Sequence, residues 1–201
     1  MEKIVFLPGA SGNIDFWKPL IEFLPEKYEK QIIGYPGFGR IAEDTRLKSF
    51  SDLQEYVTGK INSESILIAQ SMGGIFAVNK AFTDPSLIKG LVLIATSGGI
   101  DLTPFNVQDW RTEYQEQYPR YPEWFMTTNV NYDEYLEKIN IPTLLIWGDA
   151  DPISPVAVGI YLNTKLKGST LKIISNGKHN LAEEHAKEVS VYINQFLEAI
   201  S

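Results

Sequence analysis

The 201-residue chain, 44% hydrophobic and 21% charged, is long enough for one sizeable core, so we expect a single domain over residues 1–201. Its net charge of −7, with no cluster of Lys or Arg, argues against nucleic acid and membranes as partners, and zero cysteines exclude disulfides, thiolate zinc sites and a cysteine nucleophile. No apolar run approaches the roughly 20 residues that cross a bilayer, and the first residues lack a leader's cleavage pattern, so we expect a cytoplasmic protein.

Short apolar runs alternate with helical patterns along the chain. The runs are rich in Ile, Val and Leu, as is typical of parallel strands that are covered on both faces. They lie at residues 3–7, 30–33, 65–69, 90–95, 143–147 and 171–174. The helical patterns lie at residues 16–24, 51–60, 72–82, 156–162 and 181–199. This alternation predicts a doubly wound α/β fold with a mostly parallel sheet of about six strands.

An aromatic-rich insertion at about residues 97–140 interrupts the alternation. Three prolines break it into pieces, so we expect a small cap of one to three helices. An insertion after a strand lies where α/β sheets bind ligands, outside the carboxyl ends of the strands. Its aromatic side chains either pack the cap onto the domain or form the apolar underside of a lid. The candidate pocket residues are Trp110, Tyr114, Trp124 and Phe125.

The stretch LIAQSMGGIFAV, residues 67–78, contains a candidate nucleophile. Ala69, Ser71 and Gly73 occupy the positions of the motif G-x-S-x-G, with Ala in place of the first Gly. The motif needs small residues because the backbone turns sharply from a strand into a helix, and a predicted strand and helix flank it here. The alternative is that Ser71 only caps the helix.

An acid and a base follow Ser71 in the chain order that this motif requires. Asp149 and Asp151 both come directly after the fifth predicted strand, and His179 lies in a glycine-bearing loop after the sixth. The other histidine, His185, falls in the last helical pattern, where we expect a solvated face. The six-residue spacing of the two histidines differs from the i, i+4 pair of a helical zinc site, so we expect no metal site.

The order of these motifs resembles the α/β-hydrolase family across nearly the whole chain. The matching segments are FLPGASGNIDFW, GYPGFGR, AQSMGG, GLVLIATSG and IPTLLIWGDADPISP. In the family's G-x-x-D-x-x-x-P pattern the acid falls on Asp151, with Asp149 as the alternative. The resemblance also implies an oxyanion hole made by the backbone N–H groups of Ala10 and Met72.

The chain departs from the family pattern at three points. Pro8 stands where the family usually has His, so the loop that carries Ala10 must be supported differently. The first run resembles the family's third strand, so we expect the N-terminal hairpin to be missing. The cap is shorter than the family's usual helical lid, which predicts a small or open pocket.

The predicted reaction is hydrolysis of a carboxylic ester of a small, apolar substrate through an acyl-serine intermediate. Ser71 would be the nucleophile, His179 the general base and Asp151 the residue that orients it. This scheme needs no cofactor and no metal. Thioester and carbon–carbon bond hydrolysis use the same triad and stay open, as does a small-ligand binding protein with weak turnover.

Charge in the cap bears on the choice of partner. The cap carries three basic residues, Arg111, Arg120 and Lys138. Acidic residues outnumber them there: Asp101, Asp109, Glu113, Glu116, Glu123, Asp133, Glu134 and Glu137. An acidic carrier protein is therefore not favoured, because it would profit from a basic rim. The oligomeric state is left open.

Overall fold

A single parallel sheet organises residues 2–201, the part of the chain described by the computed structural model. Its strand order is β2-β1-β3-β4-β5-β6, and every neighbouring pair is parallel. The strands are β1 (Glu2–Leu7), β2 (Tyr28–Ile32), β3 (Ser65–Gln70), β4 (Ile88–Ile94), β5 (Thr143–Gly148) and β6 (Thr170–Ile174). The predicted doubly wound α/β fold is confirmed.

Helices cover both faces of this sheet, because parallel neighbours have to be joined by crossovers. They are α1 (Lys18–Ile21), α2 (Phe50–Gly59), α3 (Met72–Thr83), α4 (Arg111–Gln117), α5 (Trp124–Thr127), α6 (Asp133–Leu136), α7 (Val156–Lys165), α8 (Leu181–Glu184) and α9 (Ala186–Ile200). Side chains of α2, α3 and α7 share one apolar core, and those of α1, α8 and α9 share the other. Within residues 2–201, no helix combines the length and the apolar character that crossing a bilayer would demand.

The alternation of side chains along each strand explains the continuous apolar runs. In β3, Leu67 and Ala69 enter the core under α2, α3 and α7, whereas Ile66 and Ile68 enter the core under α1, α8 and α9. Successive strand residues point to opposite faces, so a strand covered on both sides needs apolar residues at every position. β3 and β5 are buried along their whole length, whereas β6 lies at an edge and is partly exposed.

Two predicted helices are broken in the structure. The pattern at 16–24 becomes a 3-10 turn, Ile14–Trp17, followed by the single turn α1. The pattern at 181–199 divides at His185, whose backbone leaves the helical region (φ −114°, ψ 31°). Both α8 and α9 pack on α1, and after the break α9 also runs along the sheet. The partly exposed His185 therefore lies at a junction of two helices and not on a continuous helix face.

The segment between β4 and β5 forms the cap. It consists of a 3-10 turn, Thr103–Phe105, and the short helices α4, α5 and α6. Pro119 and Pro122 fall between α4 and α5, where the fixed φ and missing N–H of proline prevent one continuous helix. The cap packs onto the α2 and α3 side of the sheet through aromatic contacts, such as Tyr132 on Phe82 with ring centroids 5.1 Å apart.

Candidate active site

Ser71 occupies a sharp turn between β3 and α3, and its backbone is strained. Its φ is 51° and its ψ −121°, a region that non-glycine residues rarely adopt and that costs on the order of 1–3 kcal/mol. Its N–H donates to the carbonyl of Ile94 (3.1 Å), and its carbonyl accepts from the Thr96 hydroxyl. The Ser71 side chain makes no capping hydrogen bond to α3, so the alternative of a simple helix cap is wrong.

Glycines after Ser71 allow this turn to form. A Cβ on Gly73 would overlap the carbonyl of Leu7, and a Cβ on Gly74 would overlap the side chain of Thr96. Leu7 ends the neighbouring strand β1, so α3 can start this close to the sheet only without a side chain at position 73. Ala69, at the position where the motif has its first Gly, is fully buried within β3. Ala is small enough at that position, and the demand for glycine falls on residues after the serine.

His179 lies between Ser71 and Asp151. Its Nε2 is 3.0 Å from the Ser71 Oγ, and its Nδ1 is 2.8 Å from the Asp151 Oδ2. An ionised carboxylate only accepts hydrogen bonds, so the imidazole carries its proton on Nδ1 when it is neutral. Nε2 is then free to accept the proton of the serine hydroxyl. The loop that carries His179 is held in addition by the Gln70 side-chain amide, which donates to the His179 carbonyl (3.2 Å).

The two candidate acids occupy different environments. Asp151 is buried, and its Oδ1 accepts from the N–H groups of Ile153 (2.8 Å) and Ser154 (3.1 Å) while Oδ2 faces His179. Asp149 is exposed, and it accepts from the N–H of Asn176 (2.6 Å), in the loop that follows β6. The structure therefore brings Asp151, and not Asp149, against the imidazole.

A close backbone contact sets the spacing between the acid loop and the histidine loop. A Cβ on Gly148 would overlap the carbonyl of Gly177, and the N–H of Ala150 donates to that same carbonyl (3.0 Å). Both glycines therefore let the ends of β5 and of the loop after β6 touch directly. This contact brings Asp151 and His179, which are 28 residues apart in sequence, to hydrogen-bonding distance.

Ala10 and Met72, whose backbone N–H groups are the predicted oxyanion donors, both line the cavity that contains Ser71. Met72 begins α3, where the first N–H groups have no partner within the helix. Among residues 2–201, no carbonyl or side chain accepts from either N–H. Neither N–H is therefore taken up by another hydrogen bond, and the role of the two residues as an oxyanion hole stays a prediction.

Tyrosine hydroxyls support the loop that carries Ala10. The fully buried Tyr35 donates to the carbonyl of Pro8 (2.7 Å), and burial raises the pKa of Tyr35 well above its usual value. Two tyrosines of the cap also donate to this loop: Tyr114 to the carbonyl of Ala10 and Tyr121 to that of Ser11. A different support for the loop was expected from Pro8, but these hydroxyls were not predicted, since no local pattern distinguishes a donating tyrosine from one that only packs.

The cavity above Ser71 has a volume of about 710 Å³. This volume is within the range of pockets that bind drug-sized ligands, and exposed residues at its edge leave the cavity open to solvent. Of the two predicted alternatives, a small pocket or an open one, the open pocket fits the structure. Trp110, Tyr114 and Phe125 line it, as predicted. Trp124 does not: it follows the turn after α4 and packs on Phe38, with ring centroids 6.0 Å apart.

Charged side chains at the cavity edge are mainly acidic. Asp101, Glu113 and Glu183 are exposed there, and the Thr103 hydroxyl and N–H hold the pKa of Asp101 below its usual value. The basic residue at this edge is Arg111, whose Nε donates to the carbonyl of Met126 (3.1 Å). Among residues 2–201, no three His, Asp or Glu side chains are grouped in a way that could hold a metal ion.

Comparison with known proteins agrees with the fold and with the sequence motifs. A model of the alpha/beta hydrolase family matches residues 4–139, and the chain belongs to this family. It is 23% identical to the uncharacterized hydrolase YugF of Bacillus subtilis, over 98% of this chain and 90% of that protein. It is 26% identical to the pimeloyl-[acyl-carrier protein] methyl ester esterase of Wigglesworthia glossinidia brevipalpis, over 78% and 77% of the two chains.

Solved structures show the same fold. A thermophilic esterase from Thermogutta terrifontis superposes with a TM-score of 0.82 at 17% identity, covering 100% of this chain and 90% of that one. A putative lipase from Acinetobacter baumannii superposes with a TM-score of 0.82 at 21% identity, covering 99% and 84%. The relatives thus include hydrolases and esterases.

Proposed function

We propose that this protein is a serine hydrolase that cleaves carboxylic esters through an acyl-serine intermediate. The observation that carries the proposal is the position of His179, with one ring nitrogen 3.0 Å from the Ser71 Oγ and the other 2.8 Å from the Asp151 Oδ2. A protein that only binds a ligand has no need of a strained backbone at Ser71 or of a buried carboxylate beside a histidine.

In the first half of the reaction, the Ser71 Oγ attacks the ester carbonyl carbon and His179 Nε2 takes the hydroxyl proton. The carbonyl oxygen becomes an oxyanion, which accepts hydrogen bonds from the N–H groups of Ala10 and Met72. Each such donor typically contributes a hundredfold or more, roughly, to the rate. The intermediate then collapses, and the alcohol leaves with the proton that His179 returns to it.

In the second half, water replaces the alcohol. His179 takes a proton from water as its oxygen attacks the acyl carbon, the same two N–H groups stabilise the second oxyanion, and Ser71 leaves with the proton from His179. Asp151 stabilises the imidazolium in both halves and holds Nδ1 as the protonated nitrogen. Its two backbone hydrogen bonds hold the carboxylate in its orientation toward the imidazole.

The lining of the cavity favours a substrate whose acyl or aryl group is apolar and uncharged. Aromatic side chains of the cap line the same cavity as Ser71, and most charged residues at its edge are negative. Relatives that act on pimeloyl-[acyl-carrier protein] methyl ester make a carrier-borne substrate the obvious alternative. The acidic edge argues against a carrier, since an acidic partner would be repelled on approach. Thioester and carbon–carbon bond substrates remain alternatives for the same triad.

The test is hydrolysis of p-nitrophenyl esters of increasing chain length, together with labelling by a fluorophosphonate and location of the adduct by mass spectrometry. We expect turnover and an adduct on Ser71 in the wild type, and neither in Ser71→Ala. Ser51→Ala, an exposed serine of α2, is the matched control and should behave like the wild type. A wild type that is neither labelled nor active on any activated ester would overturn the proposal in favour of a ligand-binding protein.

A further inference from the structure

The loop from Pro8 to Ser11 has a hydrogen-bond donor on every carbonyl. Pro8 accepts from Tyr35 (2.7 Å) and Gly9 from the N–H of Gly12 (3.0 Å). Ala10 accepts from the hydroxyl of Tyr114 (2.8 Å), and Ser11 accepts from that of Tyr121 (2.9 Å). The N–H of Ala10, which makes no such bond within residues 2–201, therefore belongs to a chain of peptide groups that is fixed on both sides.

The loop needs this external support. Ala10 and Ser11 are only half-buried and present short side chains, so packing alone does little to fix their orientation. The loop also passes close to the nucleophile, because a Cβ on Gly9 would overlap the amide oxygen of Gln70 and would lie 3.2 Å from the Cβ of Ser71. A loop that approaches the nucleophile this closely depends on hydrogen bonds for its geometry.

Two of the donors come from the cap, and ring packing holds them in place. Tyr121 stacks on Tyr118 with centroids 4.6 Å apart and packs edge-on against Phe38 at 5.2 Å. Tyr114 packs against Phe125 at 5.5 Å. The Tyr121 hydroxyl also accepts from the N–H of Gly39 (2.7 Å), so its proton is directed at the Ser11 carbonyl. Burial raises the pKa of Tyr114, which keeps its hydroxyl protonated and able to donate.

We propose that Tyr114 and Tyr121 are positioning residues that fix the N–H of Ala10 for the oxyanion, so that the cap is part of the catalytic machinery as well as a cover for the substrate. This inference rests on the proposed function. Tyr121 tests this inference more directly than Tyr114 does. Its side chain is not among those that line the cavity, so it cannot act through contact with the substrate.

The experiment compares Tyr121→Phe with Tyr132→Phe. Tyr132 also joins the cap to the core, through its hydroxyl on the Gln54 amide oxygen (2.6 Å), but it neither lines the cavity nor touches the loop. The readouts are kcat and KM on a p-nitrophenyl ester and the inhibition constant of an alkyl trifluoromethyl ketone. That ketone adds the serine oxygen to its carbonyl carbon and places the resulting oxyanion in the hole, as in the reaction.

We expect Tyr121→Phe to lower kcat roughly tenfold and to raise the ketone's inhibition constant by a similar factor, with KM within about twofold of the wild type. The loss is smaller than for removal of a donor, because the Ala10 N–H is still present but less well held. Tyr132→Phe should change none of the three. Tyr114→Phe should repeat the result of Tyr121→Phe and decides the matter if that variant does not fold.

Equal kcat and equal ketone inhibition in Tyr121→Phe and Tyr132→Phe would overturn the inference, as would a rise in KM alone. An active wild type with these results would leave the proposed function standing. A wild type that is inactive and not labelled on Ser71 would instead overturn the proposed function, and the inference with it.

Discussion

At the scale of single residues, the choice between the two aspartates depends on burial. Asp151 is buried and faces His179, whereas Asp149 is exposed on the same loop. A single residue, Ala150, separates them in sequence, so an identical substitution at each makes a matched pair.

Asp151→Asn should lower kcat by roughly 10³–10⁴-fold, because an amide at this position favours the wrong imidazole tautomer and no longer stabilises the imidazolium. Asp149→Asn should leave kcat within about threefold of the wild type, since its carboxylate contacts the exposed Ser175 hydroxyl and Asn176 N–H and not the imidazole. The measurement is steady-state kinetics on one p-nitrophenyl ester. A large loss in Asp149→Asn with an active Asp151→Asn would reverse the assignment of the acid.

Glycine at position 73 is a second residue-scale requirement. Gly73→Ala should lower the free energy of unfolding by about 1–3 kcal/mol, because the new methyl group meets the backbone of β1, which cannot give way as a flexible side chain would. Gly59→Ala is the control: Gly59 ends α2, and its Cβ would meet nothing within 4 Å. Denaturant unfolding of both variants checks this, and equal stability of the two would contradict it.

At the scale of elements, the buried hydroxyl of Tyr35 joins the loop after β2 to the loop after β1. Burial raises its pKa well above the usual value, so the folded state keeps this proton when the unfolded chain, with a tyrosine pKa of about 10, loses it. The unfolded state then binds fewer protons than the folded state. Stability from this group is thus present below about pH 10 and is lost as the pH rises further.

Tyr35→Phe should therefore flatten the fall of the unfolding free energy above about pH 10 by up to roughly 1.4 kcal/mol per pH unit. At neutral pH the same variant should be less stable by about 1 kcal/mol or more, because the Pro8 carbonyl loses its donor. Urea unfolding at a series of pH values gives both quantities. Parallel pH curves for the variant and the wild type would show that this tyrosine does not set the alkaline limit.

At the scale of the whole molecule, the net charge of the chain and the charge at the cavity edge are both negative. The chain carries −7 overall, and Asp101, Glu113 and Glu183 stand at the edge of the cavity. A field of this sign lowers the local concentration of anionic substrates, and added salt screens it with a Debye length of about 10 Å at 0.1 M.

We therefore expect kcat/KM for p-nitrophenyl butyrate to exceed that for p-nitrophenyl hemisuccinate, an anionic ester of similar length, by roughly tenfold at low salt. The ratio should shrink as salt increases. The variant Glu113→Gln/Glu183→Gln, which removes two edge carboxylates, should reduce it in the same direction. Preference for the anionic ester would point to Arg111 as a recognition residue and would favour carrier-borne or carboxylate substrates.

The sequence by itself determined the fold and the candidate nucleophile and base. Strand and helix periodicities are local properties, and so is the small-residue turn around Ser71; with only two histidines in the chain, the base had few alternatives. The breaks at Ile14–Trp17 and at His185 were missed, because packing on neighbouring helices, and not helical propensity, decides where such helices end.

Only the tertiary structure decided which side chains meet. It placed Asp151 against His179, turned Trp124 away from the cavity, and brought Tyr114 and Tyr121 to loop carbonyls 104 and 110 residues away in sequence. Hydrogen bonds and cavity lining depend on the direction of each side chain across elements that are distant in the chain. A local pattern records the type of a residue but not the partner that folding gives it.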